Sequence, residues 1–307
     1  MLYSGYDMRR NAFAKLHEKS RVNAWTMVRA RDILVKKRGR LSARGSVHKN
    51  MEFLDRVCVV TGGANGIGRA LTLSLLREGA YVAFMDVDEQ AGENIAAKDP
   101  GRILFFHGDA AQETALALFA GKVLGRFGHV DCLVNNACIT KRGLLTDCSF
   151  SAFDYVLRLG VVSAYELTRL FKDYFAPGAA IVNIASSRAF MSQADTESYS
   201  AAKGGILSLT HAMAVSLSNK VRVNAVCPGW IETAAYQGDG TGVAAHSDAD
   251  KLQHPAGRVG DPQDIVDAVL FLLSGRAGFI TGTSLTVDGG MTKKMIYHGD
   301  EGWTLNV

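Results

Sequence analysis

Three side chains of types that carry out acid–base chemistry lie between residues 186 and 203. Ser186 follows an apolar run, Tyr199 comes thirteen residues later, and Lys203 lies four residues beyond the tyrosine. Residues four apart lie on one face of a helix, so the Lys203 ammonium and the Tyr199 phenol are expected to be close together. A nearby positive charge favours the phenolate, and such a phenol can give or take a proton near neutral pH. The segment therefore predicts a proton-transfer site, whereas a plain helix-surface pair is the alternative if nothing else reaches it.

A glycine-rich turn follows the first predicted strand and opens the first predicted helix. It reads Thr61-Gly62-Gly63-Ala64-Asn65-Gly66-Ile67-Gly68. Glycines permit a tight turn and a close backbone approach to a pyrophosphate, and a helix N-terminus supplies free N–H groups and a positive dipole end. A turn without a ligand is the alternative, but the strand–turn–helix context favours a dinucleotide site.

Asp86 ends the second predicted strand. An acid at this position can accept hydrogen bonds from the adenosine ribose, and it would repel a 2′-phosphate. Neither Ala64 nor Asn65 is a basic residue that would attract such a phosphate. The sequence therefore favours NAD(H) over NADP(H), with a solvated strand-end carboxylate as the alternative.

These residues are embedded in a regular alternation that begins at Glu52. Strands are predicted at 56–61, 80–86, 103–107, 130–134, 179–185, 221–226 and 284–287, and helices at 67–78, 89–97, 113–127, 149–175, 198–218 and 262–273. The strands are continuous apolar runs, which are typical of a parallel sheet covered by helices on both faces. We therefore predict a doubly wound α/β domain of about seven strands. The long segment 230–258 is expected to be a binding lid or a mobile loop.

Charge divides the 307-residue chain at about residue 50. Residues 1–50 contain 13 Lys and Arg against 3 Asp and Glu, and the rest contains 21 against 27, so the net charge of +4 comes from the leader. The main domain therefore shows no general bias towards nucleic acid. The leader is either dispensable, with translation beginning at Met51, or a basic arm, and targeting is a third reading. We predict a domain at 51–290 and a tail at 291–307, which either packs on a neighbour or over the site, or is disordered.

Other residue types exclude several classes of protein. The five cysteines form no CxxC pair, which indicates reduced thiols and a cytoplasmic location. The eight histidines lack metal-ligand spacing, so no metal site is expected. No apolar run reaches the roughly 18 residues of a membrane span.

The motifs together resemble the short-chain dehydrogenase/reductase family, in its short, non-extended branch. The resemblance covers about Glu52 to Gly290 and rests on the glycine-rich turn, the Tyr199–Lys203 motif, and further motifs in matching order. These are Asp109, the run Asn135–Ala137, Ser186, Pro228-Gly229, Thr281-Gly282 and Asp288-Gly289-Gly290. It implies a single Rossmann domain, a small alcohol or ketone substrate, and a homotetramer.

The resemblance also implies roles for single residues. Tyr199 would be the general acid/base, Lys203 would bind the nicotinamide ribose and favour the phenolate, and Ser186 would hold the substrate oxygen. Asp109 would bind adenine, Asn135 would stabilise the central strand, and Ile231 and Thr233 would face the carboxamide. The full set of expected NAD-binding residues is Thr61, Gly62, Asn65, Gly66, Ile67, Gly68, Asp86, Asp109, Ala110, Asn135, Ala137, Tyr199, Lys203, Pro228, Gly229, Ile231 and Thr233.

Two positions depart from the family pattern. Gly160 stands where the family usually has an asparagine that supports a helix kink and a proton-relaying water, and Cys138 replaces the glycine of NNAG. We expect Cys138 to be a small packing residue. Three functions are therefore weighed: an NAD(H)-dependent oxidoreductase, a nucleotide-binding protein with weak or no catalysis, and an isomerase or dehydratase, which the glycine spacing disfavours.

Overall fold

The computed structural model describes residues 51–238 and 241–295. The predictions for the leader 1–50 and for most of the tail lie outside the described residues. Seven strands are present in the described ranges: β1 Val57–Thr61, β2 Tyr81–Asp86, β3 Ile103–His107, β4 Val130–Asn135, β5 Phe175–Ile184, β6 Val221–Pro228 and β7 Ser284–Val287. The helices are α1 Gly66–Arg77, α2 Glu89–Ala96, α3 Glu113–Phe127, α4 Phe150–Leu157, α5 Ser163–Phe171, α6 Glu197–Ser216, α7 Asp248–Leu252 and α8 Pro262–Leu273.

The strands form one parallel sheet in the order β3-β2-β1-β4-β5-β6-β7. The chain winds outwards from β1 to β3, then crosses back to place β4 on the other side of β1. This reversal separates the loops that follow β1 and β4, which leaves a crevice at the carboxyl ends of the strands. The predicted doubly wound Rossmann fold is confirmed.

Helices cover both faces of the sheet because successive strand residues point to opposite sides. Cys58 and Val60 pack into a cluster that includes Leu71 of α1 and Val266 of α8. Their neighbour Val59 packs into the opposite cluster, which is built from Phe119 and Val123 of α3, Leu167 and Phe171 of α5, and Met213 of α6. The central strands are therefore buried on both sides, as their continuous apolar sequences predicted.

Local signals set several element boundaries. The bounds of β3, α3, α8 and β7 agree with the prediction to the residue. The last turn of α3 ends at Gly128, whose φ of 77° is easily adopted only without a side chain. Asp261 caps α8 and forms a capping box with Asp264. None of the helices in the described ranges combines the length and apolar character needed to cross a bilayer.

The predicted single helix at 149–175 is wrong. It is interrupted at Arg158–Val162 by one turn of π-helix, and its last predicted residue, Phe175, begins β5. Phe175 pairs with Val130 of β4, a contact between distant parts of the chain that local periodicity does not contain. The Phe171 and Phe175 rings nevertheless remain neighbours, with centroids 6.4 Å apart.

Candidate active site

A cleft of about 560 Å³ opens at the carboxyl ends of the strands, beside the crossover between β1 and β4. Its walls come from the loops after β1 to β6 and from α4 and α6. Of the predicted residues, those lining it are Gly62, Asn65, Gly66, Ile67, Asp86, Asp109, Ala110, Ala137, Ser186, Tyr199, Lys203, Pro228, Gly229, Ile231 and Thr233. The three predicted catalytic residues and most of the predicted dinucleotide-binding residues thus lie along one cavity.

The glycine-rich turn brings the backbone of β1 against the start of α1. Gly66 has a φ of +56°, and a Cβ added to Gly68 would lie only 1.8 Å from the carbonyl oxygen of Gly62. Both positions therefore exclude larger residues. No side chain caps the N-terminus of α1, so its first N–H groups are left for a ligand in the cleft. This cradle fits the diphosphate of a dinucleotide.

Asn65 ties this turn to two other segments instead of capping the helix. Its Nδ2 donates to Asp88 Oδ2 at 2.8 Å, and its Oδ1 accepts from the Gly238 N–H at 3.0 Å. Arg69 donates to the Gly238 carbonyl at 2.6 Å. The region after β6 is thereby fastened over the phosphate cradle, where Thr233 and Gln237 approach Gly66.

Asp86 is held in a fixed orientation at the end of β2. Its Oδ2 accepts from the Ala64 N–H at 2.9 Å and its Oδ1 from the Asp88 N–H at 3.0 Å. The pKa of nearby Asp88 lies below its ordinary value because the Ala91 N–H and the Asn65 amide stabilise the carboxylate. Asp86 therefore lines this end of the cleft with an oriented carboxyl group, and Asp88 lies behind it, bonded to Asn65.

Asp109 and Tyr155 form the neighbouring wall. Asp109 Oδ1 accepts from the Ala111 N–H at 2.8 Å and from the Tyr155 hydroxyl at 3.2 Å. Burial and the adjacent Asp109 charge raise the pKa of Tyr155, so its phenol stays protonated and donates. Asp109 is thus positioned by two donors.

Three predicted cofactor residues do not line the cleft and support it from behind. Thr61 Oγ1 accepts from the N–H groups of Asn136 and Ala137, which joins β1 to the loop after β4. Gly68 forms the close contact described above. Asn135 Nδ2 donates to Asn183 at 2.8 Å, which links β4 to β5 as expected for a residue that stabilises the central strand.

Ser186, Tyr199 and Lys203 converge on the opposite end of the cleft. Lys203 is only 3% exposed, its Nζ donates to the Ile184 carbonyl at 2.7 Å, and it lies 5.4 Å from the centroid of the Tyr199 ring. Ser186 Oγ accepts from the Arg188 N–H at 3.1 Å, which leaves its O–H free to donate into the cleft. The phenol, ammonium and hydroxyl that the sequence predicted are therefore together.

Cys227 lies behind these groups and takes no part in nucleophilic chemistry. Burial raises the pKa of its thiol to about 11, against the lowering effects of the Ser186 backbone and the Lys203 charge. The thiol is thus protonated at neutral pH, and Cys227 packs with Ala185 and Ile206.

Gly160 and Cys138, the two departures from the family pattern, touch each other. A Cβ on Gly160 would lie 3.1 Å from Cys138 Sγ and 3.0 Å from the Cβ of Ala202, the residue before Lys203. Gly160 is inside the π-helical turn, so the helix is irregular at this position although it has no asparagine. Cys138 lines the cleft and occupies space that a side chain at 160 would need.

The loop after β4 is fastened to the start of α6. Asp195 Oδ1 accepts from the N–H groups of Gly143, Leu145 and Thr146 at 2.9 to 3.2 Å, and its Oδ2 accepts from the Thr146 hydroxyl at 2.8 Å. This loop follows Ile139, which lines the cleft. Asp195 thereby joins one wall of the cleft to the helix that carries Tyr199.

Sequence reasoning missed several lining residues: Met85, Val87, Gly108, Asn136, Ile139, Leu159, Ile184, Ala185, Gln237 and, above all, Tyr155. Met85 and Val87 flank Asp86, and Gln237 lies four residues after Thr233. Their closeness in sequence to predicted site residues could therefore have identified them. Tyr155 is distant in sequence from Asp109 and carried no such signal. Within residues 51–238 and 241–295, no three His, Cys, Asp or Glu side chains cluster as metal ligands.

Comparisons with known proteins agree with this geometry. The family model described as enoyl-(acyl carrier protein) reductase matches residues 62–292. A Thermotoga maritima protein described as an uncharacterized oxidoreductase is 40% identical over 250 residues, which cover 79% of this chain and 98% of that protein. An apo SCOR enzyme from Clostridium thermocellum is 42% identical with a TM-score of 0.75, covering 83% of this chain and all of that one. A short-chain dehydrogenase/reductase from Brucella melitensis, described as a glucose/ribitol dehydrogenase, is 30% identical with a TM-score of 0.72, and the match covers 80% of this chain and 99% of that one.

Proposed function

The chain belongs to the short-chain dehydrogenase/reductase family, and we propose that it is an NAD(H)-dependent oxidoreductase that interconverts an alcohol and a carbonyl compound. As an oxidoreductase of this family it uses a nicotinamide cofactor. The observation that carries the proposal is the convergence of Ser186, Tyr199 and Lys203 in the same cleft as the phosphate cradle.

The three polar side chains divide the proton chemistry between them. A bound nicotinamide supplies hydride exchange at a carbon centre. Tyr199 gives its phenolic proton to the developing alkoxide during reduction and takes the alcohol proton during oxidation. Lys203 would bind the nicotinamide ribose beside the Tyr199 ring, and Ser186 donates a hydrogen bond to the substrate oxygen.

The same residues position the reactants. Lys203 is anchored through Ile184, so its ammonium stays near the Tyr199 ring and able to reach a ribose hydroxyl. Ser186 is anchored by the Arg188 N–H. Holding the donors in place before the substrate arrives lowers the entropic cost of reaching the transition state.

Asp86 supports the preference for NAD(H). Both of its oxygens are oriented by backbone N–H groups, and Asp88 adds a second carboxylate nearby. A 2′-phosphate would enter this negatively charged end at an electrostatic cost, whereas a ribose diol would donate hydrogen bonds to it.

The alternative of a nucleotide-binding protein with little catalysis is not favoured. It rested on Gly160, which lacks the amide side chain that supports the proton-relaying water in the family. Ser186, Tyr199 and Lys203 nevertheless lie together in the cleft, and a relative 40% identical to this chain is described as an oxidoreductase. The isomerase or dehydratase reading gains no support from the cleft.

We further propose a homotetramer in a reducing cytoplasm. The five cysteines are all free thiols, three of them buried. Light scattering of the purified protein tests the tetramer, and fractionation of the source cells tests the location.

The proposed function is tested with purified protein, NADH or NADPH, and a panel of ketones and sugars. We expect NADH oxidation with at least one carbonyl substrate, weaker binding of NADPH, and a loss of kcat of at least about a hundredfold in Tyr199→Phe, because general acid catalysis contributes about that much. Tyr165→Phe, at a half-exposed tyrosine of α5, is the matched control and should behave as wild type. Tight NADH binding without turnover on any substrate would refute the enzyme, and tighter NADPH binding would refute the cofactor preference.

A further inference from the structure

Tyr155 has a position in the cleft that the acid–base chemistry does not use. It lies on α4, lines the cleft, and donates its hydroxyl to Asp109 Oδ1 at 3.2 Å. The side chain is half-buried against the cluster on the α3 side of the sheet. The Tyr155 ring therefore packs in an apolar environment, while its hydroxyl donates to the Asp109 carboxylate.

The hydrogen bonds of Asp109 fix the orientation of its carboxylate. Its Oδ1 is occupied by the Ala111 N–H and the Tyr155 hydroxyl, at 2.8 and 3.2 Å. Its Oδ2 has only a long contact of 3.5 Å with the Gln112 amide. The two donors on Oδ1 therefore fix the carboxylate plane and leave Oδ2 as the acceptor available to a ligand in the cleft.

An acceptor of this kind distinguishes purine bases. The exocyclic amino group of adenine is a donor and complements a carboxylate oxygen, whereas hypoxanthine has a carbonyl oxygen at that position. Two acceptors facing each other without a proton are unfavourable, particularly where one of them is charged. The strength of this discrimination depends on how firmly the carboxylate is held.

We propose that Tyr155 is a positioning residue for adenine recognition: its hydroxyl orients Asp109 so that the cleft selects an adenine-containing cofactor. This inference rests on the proposed use of NAD(H), and it adds a residue that no sequence motif singled out. Tyr155 acts through Asp109 and does not touch the reacting atoms. Its role is therefore in cofactor affinity and base selectivity.

The test compares binding of NADH and of deamino-NADH, which carries hypoxanthine, to wild type and to Tyr155→Phe. We expect NADH affinity to fall about tenfold in the variant, the size of one hydrogen bond to a charged group. The affinity for deamino-NADH should change less than about twofold, because hypoxanthine has no amino group that could donate to Asp109. In turnover assays the effect should lie in KM for NADH and not in kcat.

Two further variants separate positioning from packing. Tyr165→Phe removes a tyrosine hydroxyl from α5, outside the cleft, and should leave both affinities unchanged. Asp109→Asn should weaken NADH binding, and adding Tyr155→Phe to it should cause less than about a twofold further loss, since coupled residues are not additive. Thermal denaturation of each variant reports its folding.

Each outcome decides the inference. If Tyr155→Phe leaves the ratio of NADH affinity to deamino-NADH affinity unchanged, the role of Tyr155 is overturned. Additive effects of Tyr155→Phe and Asp109→Asn on NADH affinity would overturn it as well. In both cases NADH binding by the wild-type protein would still uphold the proposed function. Wild-type protein that binds neither nucleotide would overturn the proposed function, and this inference with it. A lower ratio of NADH affinity to deamino-NADH affinity in Tyr155→Phe, together with non-additive effects of Tyr155→Phe and Asp109→Asn, would establish Tyr155 as the positioning residue.

Discussion

At the scale of single residues, Gly160 and Cys138 are two departures that compensate each other. Cys138 Sγ lies where a Cβ at 160 would come within 3.1 Å of it, and Ala202 limits the space from the other side at 3.0 Å. Close-packed interiors accommodate an added methyl group only by displacing a neighbour. The sequence revealed both departures separately, but their contact is visible only in the fold.

We therefore expect Gly160→Ala to be destabilising, although alanine usually favours helices over glycine. Overpacking at this site should lower the free energy of unfolding by about 1 kcal/mol. Displacement of Ala202 would also shift Lys203, so kcat should fall several-fold. Urea denaturation and steady-state kinetics measure the two effects.

The matched control is Gly121→Ala in α3, where an added Cβ meets no atom within 4 Å and should stabilise by about 0.5–1 kcal/mol. In Cys138→Ala/Gly160→Ala the thiol is gone, and the loss should be smaller than the sum of the single losses by roughly 0.5 kcal/mol or more. Additive losses would show that Cys138 and Gly160 do not compete for space.

At the scale of elements, the sequence predicted those helix ends that a capping residue or a terminal glycine determines. Capping at Asp261 and the stop at Gly128 fixed α8 and α3 to the residue. The π-helical turn at Arg158–Val162 and the start of β5 at Phe175 depend on packing against α6 and on pairing with Val130, which neighbouring residues do not encode. The short helix α7 inside the predicted loop 230–258 was missed although Ser247 and Asp250 form a capping box.

The loop at 143–146 is held by two acidic side chains: Asp195 accepts from Gly143, Leu145 and Thr146, and Glu197 accepts from the Leu144 N–H at 3.2 Å. Burial of Asp195 acts to raise its pKa, but hydrogen bonds from the Thr146 side chain and from three backbone N–H groups outweigh it and keep the pKa below its ordinary value. Because the folded pKa is lowered, the contacts are fully present above the ordinary value near 3.9 and are lost only as pH falls through the lowered one. The loop should therefore stay fastened throughout the neutral range.

Asp195→Ala should release this loop without unfolding the domain. We expect hydrogen exchange at the amides of Gly143, Leu145 and Thr146 to accelerate about tenfold at neutral pH, as their shared charged acceptor is lost. KM for the carbonyl substrate should rise, since the loop continues from Ile139 in the cleft wall. Asp173→Ala, at an exposed acid before β5, is the control, and equal exchange in both variants would contradict the role of Asp195.

At the scale of the whole molecule, topology explains why most of the site was predictable. The doubly wound order brings the loops after β1, β4, β5 and β6 to one crevice, so motifs at strand ends in the sequence become neighbours in space. Ser186, Tyr199 and the glycine-rich turn were found this way. Tyr155 was not, because it comes from the middle of a helix and its partner Asp109 follows a different strand.

The same architecture predicts that a chain beginning at Met51 is sufficient for folding and cofactor binding. The whole sheet and both core clusters lie within residues 51–295, and the solved relative from Clostridium thermocellum matches over all of its length. Phe53 is buried at 2% exposure in the cluster that contains α1 and α8, so the shortened chain must include it. We expect the shortened chain to keep the melting temperature and NADH affinity of the full chain. Phe53→Ala in the shortened chain should lose about 3–5 kcal/mol. A shortened chain that is insoluble or binds NADH more weakly would show that residues 1–50 contribute to the domain.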